Sequence, residues 1–306
     1  MGLRSGWVHV RVPATSANLG PGFDSLGLAL ALYDDVRARV TNAGEVRVTV
    51  TGEGAGELAG DESHLVAASA LAAFDRMGVR PAGLDITCHN RIPQARGLGS
   101  SSAAIVAGIT LARALVEPSV PDTPDASHVL DVAGSLRLAS LIEGHPDNVA
   151  PCLLGGFTIA WTDVAGAHAV RLTPALRVRP LVFVPEERGL TAHARAALPM
   201  DVPHADAAAN AARAALLVHA LTVAPELLMT ATEDWLHQAY RAPGMPGTAA
   251  LVAKLRDAGV PAVVSGAGPS VLALIDEAAD VTVPDVPGWW TLSPGCDMTG
   301  ATSAVD

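Results

Sequence analysis

Lysine is almost missing from this chain of 306 residues, with Lys254 the one instance. It falls late, in a helical pattern, and no Gly-Lys-Ser/Thr sequence exists, which excludes the P-loop way of holding a nucleotide. Cysteine is nearly as scarce. Cys88, Cys152 and Cys296 stand far apart with no CxxC pair, which fits reduced, mostly buried thiols better than a disulfide framework or a zinc site. Charged residues make up 17% of the chain against 50% hydrophobic ones, so a large core is available and a disordered chain is excluded. Bases are outnumbered, 20 against 31 acids, and the net charge of −11 opposes nonspecific binding to nucleic acid or an anionic membrane. Any anionic ligand must therefore find a locally positive site. Residues 1–12 alternate polar and apolar, unlike a signal peptide. The most apolar stretch, 103–116, is broken by Thr110 and Arg113 and is short for a bilayer span. A cytoplasmic location is the expectation.

Apolar residues alternate at Val8, Val10 and Val12, at Val36, Ala38 and Val40, and at Val46, Val48 and Val50 around the turn 42–44, which predicts an antiparallel sheet. A helix is expected over 64–77, ended by Gly78, then a strand over 84–89 that leads through a Gly/Ser loop into a helix over about 101–115. Residues 116–126, rich in proline and acid, read as a surface loop, and 153–157 as the start of another strand region. The character changes around 170–179. A strand at 180–184, Ala-rich helices to about 258 and two strands around 265–270 follow. Two domains are expected, 1–170 and 171–306, and no solenoid repeat is present.

The most informative stretch is Pro93, Gln94, Ala95, Arg96, Gly97, Leu98, Gly99, Ser100, Ser101, Ser102 and Ala103, a glycine loop opening into a helix. Glycines let backbone N–H groups approach phosphate oxygens, the helix N-terminus adds partial positive charge, and the serines donate hydrogen bonds or ligate a metal. Taken alone, such a loop more often merely caps a buried helix. Three more segments stand beside it: Pro13 to Asp24, a glycine-punctuated loop after the first strand; Glu143-Gly144-His145-Pro146-Asp147-Asn148; and Ser265-Gly266-Ala267-Gly268-Pro269-Ser270 between apolar, β-branched runs. Singly these read as a turn, a solvated helix end and a hairpin.

In this order the four segments resemble the GHMP kinase superfamily, which includes galactokinase, homoserine kinase, mevalonate kinase and phosphomevalonate kinase. The resemblance implies a two-domain α+β fold, with an N-terminal half like ribosomal protein S5 domain 2 and a ferredoxin-like C-terminal half. It implies ATP bound by residues 93–103 with Gly266 and Gly268. Homoserine kinases in particular resemble the chain at 15–24, at 145–151, at Thr191, Ala194, Arg195, Leu198 and Pro199, and at 236–241, where Ala239 replaces a proline. That resemblance implies ATP-dependent phosphorylation of L-homoserine to O-phospho-L-homoserine, a step toward threonine.

Residue by residue, it assigns Asn18, Asp24, His145, Asn148, Arg195 and Arg241 to the amino-acid substrate, Ser100 and Glu143 to Mg²⁺, and a catalytic part to Asn148, Glu143 and Asp24. A zwitterion with one hydroxyl needs an acid or amide for its ammonium, a guanidinium for its carboxylate and a polar group near the hydroxyl, and all three kinds are present. Glu143 precedes His145 by two residues, closer than in many relatives. Asn148 stands where many GHMP kinases carry an aspartate base, and an amide cannot take up a proton. The family implies catalysis by positioning and electrostatic stabilisation instead. Asp147 as a base and Asp147 as a loop-fixing side chain both stay open. Mevalonate or diphosphomevalonate chemistry, marked by an aspartate base or a nearby lysine, is the alternative within the fold. A catalytically silent sensor is the other, against which the intact glycine loop and Glu143 speak. The oligomeric state stays open, a homodimer being frequent among relatives.

Overall fold

Val8, Val10 and Val12 are buried on one face of a strand, as their alternation requires. The structure, a computed structural model, describes residues 2–117, 130–189 and 191–305. Its first half runs β1 (Gly2–Leu3), β2 (Val8–Ala17), β3 (Leu26–Thr41), β4 (Val46–Gly52), α1 (Leu65–Arg76), β5 (Gly83–Asn90), α2 (Ser100–Leu115), β6 (Val116–Glu117), α3 (Val132–Glu143), α4 (Pro146–Leu154), β7 (Phe157–Asp163) and β8 (Gly166–Leu172). The rest runs β9 (Val178–Val184), α5 (Thr191–Ala196), α6 (His204–Thr222), α7 (Leu228–Ala231), α8 (Gln238–Arg241), α9 (Pro246–Asp257), β10 (Ala262–Val264), β11 (Val271–Asp276), β12 (Trp290–Leu292) and β13 (Thr302–Val305).

The first sheet has the order β13-β2-β3-β5-β4, with β7 joined to β3 and β8 to β7. Alternation around the turn 42–44 predicted an all-antiparallel arrangement, and the structure corrects it: β5 lies between β3 and β4 and pairs with β4 in parallel. A period of two reports which face is buried and carries no information about which strand is the neighbour. Residues 153 and 154 belong to α4, and the strand begins only at Phe157, because an apolar pair fits a buried helix end as well as a strand. Of the expected loop 116–126, Val116 and Glu117 pair with β1, and 118–126 lie outside the described residues. A second, antiparallel sheet has the order β10-β11-β9-β12. The last strand, β13, returns to the first sheet beside β2.

α2 is buried on nearly all sides, as a helix that is mostly apolar all round must be, and it packs against α1 and β2. α4 lies directly on β3. A Cβ on Gly27 would stand 2.1 Å from the Asp147 carbonyl oxygen, so only glycine lets the start of α4 come this close. The register of β2 against β3 slips at Pro13/Ala14, where proline has no N–H to offer the ladder. That bend delivers residues 15–18 to the mouth of the glycine loop.

Candidate active site

Three loops meet and are laced by backbone bonds. The Thr15 amide donates to Leu98 O at 3.0 Å, the Gly266 amide to Ala17 O at 3.1 Å, and the Ser270 amide to Arg96 O at 3.3 Å. Ser265 Oγ joins all three, donating to Gly97 O at 2.7 Å and lying 2.8 Å from Ser16 Oγ. Beside them opens a cleft of about 510 Å³. Part of its lining is apolar, with Val12, Val36, Leu65, Val66, Ala104 and Ala107, and part carries Asn18, Asp24, Glu143, His145, Asp147, Asn148, Arg195 and Arg241.

Gly99 is the N-cap of α2, left-handed at φ 69°, and no side chain caps the helix. The first N–H groups of α2 therefore face the cleft with the positive end of the helix dipole, an arrangement suited to phosphate. A Cβ on Gly99 would lie 1.9 Å from Thr15 Oγ1, so this glycine serves the contact between two loops. Gly99→Ala is expected to lower the unfolding free energy by about 2 kcal/mol from backbone strain and overlap together, read by denaturant titration. Glu143 ends α3 at the same place, its Oε1 accepting from Ser101 Oγ and Ser102 Oγ, both at 2.7 Å. One carboxylate beside serine hydroxyls and a phosphate site is a donor set that suits Mg²⁺, which takes oxygen ligands and keeps several waters.

At the other end, Gly144 closes α3, left-handed at φ 93°, and His145 is the N-cap of α4, with Pro146 in its first turn. His145 Nδ1 lies 2.5 Å from Asp147 Oδ1, and Asp147 is buried. Its hydrogen bond with Asp147 raises the His145 pKa above the ordinary 6.5 despite the opposing effect of burial, with Glu143 and Asp24 adding to the rise. Asn148 Oδ1 accepts from Thr15 Oγ1 at 2.7 Å, which leaves its Nδ2 hydrogens to the cleft.

Asn18, Leu19 and Asp24 all adopt left-handed backbone, with φ of 67°, 51° and 54°, which marks the 18–24 loop as held in shape by its surroundings. Asn18 supplies the hold: its Nδ2 donates to Gly266 O at 2.8 Å and its Oδ1 accepts from the Asp24 amide at 3.0 Å. Asp24 then meets Arg195 through two parallel bonds of 2.9 and 2.8 Å. Arg241 is buried, donating to Ala194 O at 3.0 Å and bonded to His237 Nδ1 at 3.1 Å, while His237 Nε2 lies 2.8 Å from Gly20 O. Burial pushes the Arg241 pKa down from the ordinary arginine value, and Arg195 adds to the fall.

Most of the residues expected at the site line the one cleft. Pro93 and Ser102 do not line it. Arg96 turns its guanidinium to the carbonyls of Pro185, Gln94 and Glu186, so its side chain braces the loop and its backbone faces the cleft. Ser101 and Ser102 contact Glu143, whereas Ser100 opens α2 at the cleft. Lys254 bonds Asp285 O instead of lining the cleft. Sequence reasoning gave no role to Thr15, His237, His64 or Asp34. His64 caps α1 by accepting from the Val66 amide, and its Nε2 is buried with no partner among the described residues. Asp34 accepts from the Arg91 and Ile92 amides, and burial pushes its pKa up to about 6. No local signal marks the Thr15, Asp34 and His237 contacts, since each joins distant segments; the His64 cap is local, but histidine is an uncommon cap and gave no signal.

An uncapped glycine-loop helix facing a carboxylate, with carboxylate and guanidinium side chains across the cleft, is the arrangement of a small-molecule kinase. The family models for the GHMP kinases N terminal domain and the GHMP kinases C terminal match residues 64–156 and 206–283. A homoserine kinase of Streptomyces avermitilis is 56% identical over 301 residues, covering 98% of this chain and 96% of that protein. One of Clavibacter michiganensis is 50% identical over 305 residues, covering 97% and 94%. A crystal structure of homoserine kinase from Cytophaga hutchinsonii superposes with a TM-score of 0.81 at 26% identity, covering 99% of both chains. The chain therefore belongs to the homoserine kinase family of GHMP kinases.

Proposed function

We propose that this protein transfers the γ-phosphoryl group of ATP to the hydroxyl of L-homoserine, giving O-phospho-L-homoserine, in the cytoplasm and on the route to threonine. The observation that carries this reading is the pairing, in one cleft, of the uncapped start of α2 beside Glu143 with a zwitterion-complementary set, Asp24 against Arg195 and Arg241. In this reading the cleft lies between two halves, 1–170 and 171–306, with β8 (Gly166–Leu172) straddling their boundary and β13 of the second half returning to the first sheet beside β2, and a homodimer is carried over from the family resemblance. No helix among the described residues is long and apolar enough to cross a membrane.

In this reading Gly97, Leu98, Gly99 and Ser100 present their backbone to the phosphates, and Gly266 and Gly268 flank them. The apolar lining takes the base, with the free Nε2 of His64 available to a ring acceptor. Glu143 and Ser100 would hold Mg²⁺, which supplies neutralisation of phosphate charge. Asp24 takes the substrate ammonium; Arg195 and Arg241 take its carboxylate. Asn18 keeps Asp24 aimed, and Thr15 keeps the Asn148 amide aimed at the hydroxyl. Asp147 belongs to His145, whose Nε2 faces the substrate. With no free carboxylate at the hydroxyl, rate comes from in-line positioning and electrostatics, which suffices for a loose transition state.

A coupled assay of ATP turnover over homoserine, mevalonate, galactose and shikimate tests the reading. Turnover is expected with homoserine alone and with divalent metal; comparable turnover of mevalonate would overturn it. Asp147→Asn is expected to lower kcat by less than about tenfold, where loss of a general base costs roughly 10²–10⁴. It should also remove a pH-dependent part of the stability. The folded His145 pKa lies above 6.5, so that contribution is full below pH 6.5 and is lost as pH rises through the raised folded value. Unfolding free energies of wild type and variant should therefore converge with rising pH.

A further inference from the structure

Phe23, one residue before Asp24, has no assigned part in the site, yet two cations share its ring. The guanidinium carbons of Arg195 and Arg241 stand 5.5 and 5.3 Å from its centroid. Like charges gathered on one ring repel, and Arg195 indeed helps to push the Arg241 pKa down. His237, the hydrogen-bond partner of Arg241, packs on the same ring with centroids 5.3 Å apart and planes at 33°. The negative face of an aromatic ring attracts cations, whereas an aliphatic side chain of similar size does not. Asp24 holds Arg195 from one side and, with Asp147, attracts both arginines through space; the ring is the apolar face over which both guanidinium groups stand.

We propose that Phe23 is the positioning residue for the carboxylate end of the substrate site. Its ring holds the Arg195 and Arg241 guanidinium groups against their repulsion, close enough for one carboxylate to engage both. It thereby sets the preference for an alcohol that carries an α-carboxylate over one that lacks it. This rests on the homoserine reading and adds a specificity determinant to it. Leu in place of Phe23 fills much of the space and offers no negative face, so the arginines lose that attraction, while the backbone bonds that join Thr15, Ala17 and Asn18 to the glycine loop and Gly266 do not involve the ring.

Steady-state kinetics with homoserine and with 3-amino-1-propanol, which is homoserine without its carboxylate, separate this from a structural role. The proteins compared are wild type, Phe23→Leu, and protein carrying 3,4,5-trifluorophenylalanine at position 23, which keeps the ring's shape and weakens its negative face. The homoserine KM should rise about tenfold in Phe23→Leu and about threefold in the fluorinated protein. The ATP KM and the kcat/KM for 3-amino-1-propanol should stay within about twofold, so the preference for the carboxylate shrinks. An unchanged homoserine KM in the fluorinated protein, or an equal loss on both alcohols in Phe23→Leu, would overturn the proposal. If Phe23→Leu does not fold, the fluorinated protein decides alone. Wild-type protein inactive on homoserine would instead sink the substrate reading, before any variant is compared.

Discussion

Glu143→Gln is expected to lower kcat by at least about a hundredfold while the homoserine KM changes by less than about threefold. The carboxylate accepts from Ser101 and Ser102, and a glutamine carbonyl oxygen can accept in the same place, so the variant should fold and its melting temperature should stay close to wild type. What the amide cannot supply is the negative charge that the proposed metal-ligand role of Glu143 calls for. The loss should therefore fall on the transition state, where phosphoryl charge is redistributed, and the concentration of divalent metal needed for half-maximal rate should rise. Steady-state kinetics at several metal concentrations check both. An equal loss in kcat and homoserine affinity would place Glu143 on the amino-acid side.

Arg241→Lys should raise the homoserine KM by about a hundredfold and Arg195→Lys by about tenfold, the latter equal to ~1.4 kcal/mol, with the ATP KM nearly constant in both. A guanidinium grips a carboxylate through two parallel bonds, and a lysine ammonium has no such fork. The two differ in setting. Arg241 is buried and tied to Ala194 O and His237, so its replacement also leaves those groups without a partner and should lower the melting temperature. Arg195 is largely exposed and pairs with Asp24, so its loss should leave the fold intact. An ATP-specific defect in either variant would move that arginine to the nucleotide side.

Much of the candidate site was legible beforehand because the chemistry proposed for it, holding a phosphate and a zwitterion, draws on few residue types. Gly97, Gly99 and the serines announce an anion site by local rules, and α2 begins within one residue of the expected start. Glu143, His145 and Asn148 stand within six positions, so their shared location needs no folding to be seen. The helix α1 was readable too, through its apolar period and Gly78 just beyond it. The order of strands was not: residues 36–40 and 46–50 flank a turn, yet β5 separates them.

By itself the sequence determined the chemical groups on offer and the faces of the elements: a glycine loop without lysine, carboxylate and guanidinium groups, and an amide at Asn148. Tertiary structure alone decided the partners. Thr15 reaches Asn148 across 133 residues and Asp24 reaches Arg195 across 171, and β13 closes against β2 from the far end of the chain. The physical reason is that periodicity and turn propensity act over a few residues, whereas these contacts exist only after separate layers have packed and brought distant loops to one rim. The two arginines on the ring of Phe23 belong to that second kind, a juxtaposition that no local pattern encodes.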